Sequence, residues 1–294
     1  MTSTTLRVKT AGFFKFEGVQ FGTIATLVFK ELRDAIRNRW LALYAFAFAG
    51  LALALSWTAM SGLGGYGLAG FSRTAAALIN LVLLIVPLMG LTLGAMALAG
   101  ERERGSLAYL LAQPVTIAEV MIGKFIGLGL TLAAALAFGF GLSGVVIAWR
   151  GSSASGGDYL ELVGLTLLLG LATLSIGFLI SAGSRKGATA IGIALFAWLG
   201  LAFISDLGLM GTAVVLDIEI NTLFTLSLLN PLQVFKMAAV LSMRGDLEVL
   251  GPAGIYAVRK YGDGLLPLLI AVLAAWTVVP FVIGYFIFRR KGGL

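Results

Sequence analysis

The chain has 294 residues, 59% of them hydrophobic and 12% charged, with a formal net charge of +7 and a mean hydropathy of +1.00. Globular domains carry about 25% charged residues, so this composition belongs to a membrane protein. The sequence holds neither Cys nor His, which excludes disulfides, thiolate chemistry, zinc sites and imidazole acid–base catalysis.

Residues 1–20 mix polar residues with Phe13, Phe14 and Phe16 and read as an amino-terminal tail. Seven basic residues precede the first apolar run, which begins at Trp40 and is of spanning length, so the amino terminus does not read as a signal peptide. Residues 21–39 form an amphipathic pattern. Phe21, Ile24, Ala25, Val28, Leu32, Ala35 and Ile36 recur at three- and four-residue steps, with Lys30, Arg33, Asp34 and Arg37 on the other side. A basic amphipathic helix leading through Arg39 to an interfacial Trp40 lies in the headgroup plane. Anionic lipid is accordingly the partner the positive charge suits, and nucleic acid is not expected.

A bilayer core needs about 20 apolar residues per helix. Six stretches within 40–294 qualify, at roughly 40–60, 76–99, 121–149, 160–182, 188–208 and 266–288. With both termini on the cytoplasmic side the inner segments hold fifteen basic residues and the outer segments six, the arrangement expected of positive-inside topology. Pro87 is expected to kink the second span. Gly90 with Gly94, and Gly123 with Gly127, have the small-residue spacing of close helix contacts. Asp206, near the outer end of the fifth span, is the notable intramembrane acid; hydration or pairing with Lys236 or Arg244 is its plainer reading. The long outer segment, within 217–264, contains an apolar run broken at Asn230-Pro231. Each half is too short to cross, which predicts two re-entrant helices covered by protein.

Between the second and third spans lies GERERGSLAYLLAQPVTIAEVMIGK, Gly100 to Lys124. Glu101, Arg102, Glu103 and Arg104 are expected to leave the membrane, Gly105 to break the run, and Ser106 to cap a short helix carrying Leu107, Leu110 and Leu111, closed at Pro114. Thr116 with Glu119 has the spacing of a capping box that opens the next helix. A plain connecting loop would show much of the same pattern.

No phosphate-binding G-x-x-x-x-G-K-[ST] loop is present. The glycines from Gly62 to Gly70 read as a flexible loop, and Asp263 has no intramembrane acid to work with. The chain thus reads as non-enzymatic, with no cofactor of its own, and any energy must come from another subunit.

Taken together, the amphipathic amino-terminal helix, six spans, the loop Glu-x-Glu-x-Gly-Ser-Leu-x-x-Leu-Leu-x-x-Pro with its following Gly-Lys, and the outer Leu229-Asn230-Pro231 resemble type-2 ABC transporter permeases. The match from Lys30 to Leu41 narrows the resemblance to the branch serving nitrous oxide reductase maturation. The resemblance implies an all-α permease fold acting as a homodimer in the cytoplasmic (inner) membrane, with two copies of a separate ABC ATPase that binds ATP and Mg. It implies that 100–120 holds the coupling helix, with Glu101, Arg102, Glu103, Arg104, Gly105, Ser106, Leu110, Pro114 and Glu119 as ATPase-coupling residues. It makes 21–39 the connecting helix, with Lys30, Arg33, Arg37, Arg39 and Trp40 at the interface, and Asp206, Asn230 and Pro231 the outer gate. It further implies a periplasmic accessory partner. The work done is export, or mechanical action on that partner. A permease for lipid, drug or polysaccharide, and a non-transport membrane scaffold, are the alternatives. An intramembrane enzyme using Asp206 or Asp263 is a third.

Overall fold

The computed structural model describes residues 21–36, 39–61, 68–149, 156–204, 220–243 and 251–290. Among them there is no strand. The helices are α1 (Phe21–Ile36), α2 (Arg39–Ser61), α3 (Leu68–Glu103), α4 (Ser106–Leu111), α5 (Ile117–Trp149), α6 (Gly156–Gly183) and α7 (Gly187–Leu199), the last continuing as a π-turn (Gly200–Ile204). They are followed by α8 (Ile220–Leu228), α9 (Pro231–Ser242) and α10 (Gly251–Tyr261), then a 3-10 turn (Gly262–Gly264) and α11 (Leu265–Arg290).

Four segments are long and apolar enough to cross a bilayer: Ala76–Glu103, Ile117–Trp149, Gly156–Gly183 and Gly254–Arg290. The count becomes five if α8 and α9, which meet at 106°, form one broken span. The sequence-based expectation was six. Its remaining two stretches correspond to shorter apolar helices, Ala42–Thr58 and Gly187–Phe203, within the described residues. At 1.5 Å per residue, the 36 residues of α3 extend about 54 Å. That exceeds the hydrocarbon core, so α3 projects from it or tilts.

The centre of the bundle is α3 against α6. Gly94 and Gly177 meet face to face, and a Cβ on Gly94 would lie 2.8 Å from the Gly177 Cα, so both backbones need the missing side chains to approach. Ser181 of α6 then enters the backbone of α3. Its Oγ accepts from the N–H groups of Leu98 and Ala99 at 3.0 and 2.8 Å and donates to the Ala95 carbonyl at 2.7 Å. Farther along, Pro87 supplies no N–H to the α3 ladder, and Trp198 Nε1 donates to the nearby Leu84 carbonyl at 3.1 Å.

Two local expectations need correction. The helix α3 runs through Glu103, so Glu101 and Arg102 lie in its final turns instead of in a loop, because nothing there interrupts the helical pattern before Gly105. Gly70 is helical too, although 62–67 lie outside the described residues. The apolar residues of α1 divide between two surroundings. Ile24, Leu27, Val28, Glu31, Leu32 and Ala35 turn toward the protein, while Phe21 and Phe29 are 86% and 72% exposed.

Candidate functional site

The short helix α4 is set by its neighbours in sequence. Gly105 takes φ 73°, a left-handed conformation natural to glycine, and turns the chain out of α3. Ser106 does not cap α4. Gly105 occupies that position, and Ser106 Oγ donates back to the Glu101 carbonyl at 3.2 Å. Leu107 is fully buried and anchors α4 to the bundle, whereas Tyr109 is 74% exposed. Leu110 is half-buried, and Pro114 is exposed in the turn that follows. Next, Thr116 and Glu119 bond reciprocally. The Thr116 N–H donates to Glu119 Oε2 at 2.7 Å, and the Glu119 N–H donates to Thr116 Oγ1 at 3.2 Å, so both satisfy donors at the start of α5.

Three of the charges that precede α4, Glu101, Arg102 and Glu103, hold other helices. Glu103 Oε2 accepts from the Gly187 N–H at 2.9 Å. Since Lys186 offers α7 no side-chain cap, a carboxylate from α3 serves that helix terminus. Arg102 Nη1 donates to the Ser184 carbonyl at the end of α6, and its guanidinium stands 5.7 Å from the centre of the Phe288 ring on α11. Arg104 and Gly105 are exposed.

Glu101 joins a buried ion cluster. Lys124 of α5, 1% exposed, donates to Oε1 of Glu31 at 2.6 Å and contacts Oε1 of Glu101 at 2.7 Å. Lys30 lies 3.2 Å from the same Glu101 oxygen, 3.4 Å from Glu31 and 3.5 Å from Asp34. Burial disfavours the Lys30 ammonium, but the Glu31, Glu101 and Asp34 carboxylates outweigh that cost and hold its pKa above the ordinary 10.5. Two glycines bring α1 close enough for this contact. A Cβ on Gly123 would lie 2.7 Å from Leu27 Cβ, and one on Gly127 would lie 2.6 Å from Glu31 Cβ. Thus α1, α3 and α5 are tied at one level. Among the described residues no group of three or more acidic side chains is placed to hold a metal ion.

At the other end, Asn230 sits in the elbow between α8 and α9. Its Oδ1 accepts from the Leu232 N–H at 2.9 Å, capping α9, while Pro231 takes the first helical position. Its Nδ2 donates to the Leu201 carbonyl in the π-turn at 2.7 Å. Trp276 Nε1 of α11 donates to the Leu228 carbonyl at 3.2 Å, serving the end of α8.

Of the sequence-derived candidates, the structure brings Lys30 and Glu101 together and leaves Arg33 exposed. Arg37 and Asp206 lie outside the described residues, as do the side chains of Arg39 and Trp40. Sequence reasoning missed Glu31 and Lys124. Both carried a signal: each is a charge in an otherwise apolar helical stripe, Glu31 four residues after Leu27 and Lys124 one residue after Gly123.

The family model described as ABC-2 family transporter protein matches residues 25–292. The chain is 32% identical over 268 residues to the probable ABC transporter permease protein NosY of Stutzerimonas stutzeri, spanning 89% of this chain and 96% of that one. It is 29% identical over 272 residues to the NosY permease protein of Pseudomonas aeruginosa, spanning 90% and 98% respectively. These matches bear out the resemblance carried by the motif residues.

Proposed function

We propose, for a chain that belongs to the ABC-2 family of transporter proteins, the role of the permease subunit that converts ATP hydrolysis by a separate ABC ATPase into movement across the bilayer. Such a permease works with an ABC ATPase, and this chain has no phosphate-binding loop of its own. The observation that carries the reading is the contrast within α4 and its surroundings. Leu107 is buried and Tyr109 exposed on the same short helix, while the adjoining end of α3 holds α1, α5, α6, α7 and α11 through Glu101, Arg102 and Glu103. A force applied to the exposed face of α4 reaches five helices through the five residues that precede it.

In this reading α4 is the coupling helix on the cytoplasmic side, where basic residues concentrate, and both termini lie on that side of an inner membrane. Six spans are completed by α2 and by α7 with its π-turn. The α8–α9 elbow at Asn230 and Pro231, with Asp206 nearby in sequence, forms the outer gate. The complex is a homodimer of this chain with two ATPase copies, which bind ATP and Mg. The NosY name of the relatives supports a task in nitrous oxide reductase maturation, with the work delivered as export or as mechanical action on a periplasmic partner.

The test is copurification followed by ATP turnover. Tyr109→Ala should weaken ATPase binding while leaving the thermal stability of the permease unchanged. Glu103→Ala combined with Arg104→Ala should retain the ATPase but sever its turnover from transport. Full turnover and coupling in all of these variants would refute the coupling role of α4.

A further inference from the structure

At the end of the bundle opposite the ion cluster, a cavity of about 180 Å³ opens between α3, the π-turn and α9. Its walls are apolar, including Leu84, Leu201 and Phe203, and its polar groups are Asn80, Gln233 and Lys236. Leu84 and Phe203 are 48% and 52% exposed, so the mouth faces the surroundings of the bundle. Lys236 is half-buried. Among the described residues the ion pairs gather at Lys30 and Lys124, and none includes Lys236.

Helix geometry sets the depth of this cavity. Asn80 precedes Glu101 by 21 residues on α3, a rise of about 31 Å. That equals the thickness of a bilayer core, about 30 Å. With the ion cluster and the amphipathic α1 at one boundary, Asn80 falls at the other, where phospholipid phosphates lie. A half-buried cation there, beside apolar walls open to lipid, matches an anionic amphiphile better than a soluble anion.

We propose that this cavity holds the headgroup of one anionic phospholipid, with Lys236 against its phosphate, the Asn80 amide donating from α3, and an acyl chain lying along Leu84 and Phe203. The ligand bridges α9 to α3 at the level where the Asn230 elbow joins the π-turn. The site stands whether or not an ATPase docks at α4.

The full chain, with the subunits it retains on purification, would be exchanged into nanodiscs containing phosphatidylglycerol or phosphatidylcholine. Retained lipid would be counted by native mass spectrometry after detergent release. One phosphatidylglycerol per chain is expected, preferred about five-fold over phosphatidylcholine, the effect of one lysine at a membrane surface. Lys236→Gln should abolish that preference and Lys236→Arg should keep it. Leu84→Trp, which closes the mouth and leaves the lysine intact, should lower retention and decides the matter if Lys236→Gln does not fold. Equal retention of the two lipids by the unsubstituted chain, or unchanged preference in Lys236→Gln or unchanged retention in Leu84→Trp, would overturn the proposal. So would displacement of the lipid by equimolar glycerol phosphate, which would identify a site for free phosphate instead.

Discussion

Lys124 Nζ lies 2.7 Å from Glu101 Oε1, and this pair closes the base of the segment that contains α4. Glu101 stands in the last turn of α3 and Lys124 near the start of α5, so the two helices flanking α4 are clamped where it leaves and rejoins them. Glu31 extends the clamp to α1. In a site this buried, the attraction is weakly screened, and removing either partner strands the other charge away from water. The arrangement makes α3, α5 and α1 respond together to anything that moves α4.

Lys124→Met should therefore destabilise the protein strongly, by about 3–5 kcal/mol, since two buried carboxylates lose their one buried cation and keep only the half-exposed Lys30. Thermal unfolding in detergent measures this. A double-mutant cycle with Glu101→Gln should show clear coupling between the two positions. Additive effects would mean that the pair contributes nothing beyond its parts.

Gly127→Val should detach α1 without removing any charge. A Cβ there meets Glu31 Cβ at 2.6 Å, a contact between a side-chain base and its helix that cannot swing aside. The expected cost is about 1–3 kcal/mol. Because the natural chain has no cysteine, cysteines placed in α1 and α5 would report the separation as a loss of cross-linking.

Asn230 combines two roles that substitution can separate. Asn230→Asp keeps the oxygen that caps α9 but loses the amide that donates to the Leu201 carbonyl, whereas Asn230→Ala loses both. Capping alone is worth about 1 kcal/mol, so Asn230→Ala should lower the melting temperature and Asn230→Asp should uncouple the π-turn from the elbow. Hydrogen exchange at 200–204 reads the second effect.

The pH dependence of α1 docking follows from Lys30. Its pKa is raised in the folded protein above the ordinary 10.5, so its stabilising contribution is complete below pH 10.5 and disappears as the pH climbs through the folded-state value. The side chain is 44% exposed, which limits the effect to within about 1 kcal/mol. Cross-linking of α1 to α5 should hold at pH 9 and weaken at strongly alkaline pH, and Lys30→Gln should remove the Lys30-dependent part of that change.

Local chemistry in the sequence was a good guide where partners lie within one turn. The spacing of Thr116 and Glu119 announced a capping box, and the structure contains both of its hydrogen bonds. Asn230-Pro231 announced a break in an apolar run, and a 106° bend stands there. Ser106 misled because two residues competed for one position. Gly105 could adopt the left-handed turn at low cost, and Ser106 found the Glu101 carbonyl instead. The charges from Glu101 to Glu103 read as a solvated run because their hydrogen-bond and ion-pair partners are 23 to 84 positions away, on helices whose rotation the local pattern leaves open.

By itself the sequence determined the membrane class, the family and the presence of a turn-bounded helix between two long apolar segments, since these rest on composition, motif residues and short-range backbone chemistry. Tertiary structure decided what the charges do. Lys124 becomes the centre of a clamp because Gly123 and Gly127 let α1 approach α5 closely enough to deliver Glu31. The ion pair depends on how three helices are rotated against one another, and that rotation is set by packing across the bundle.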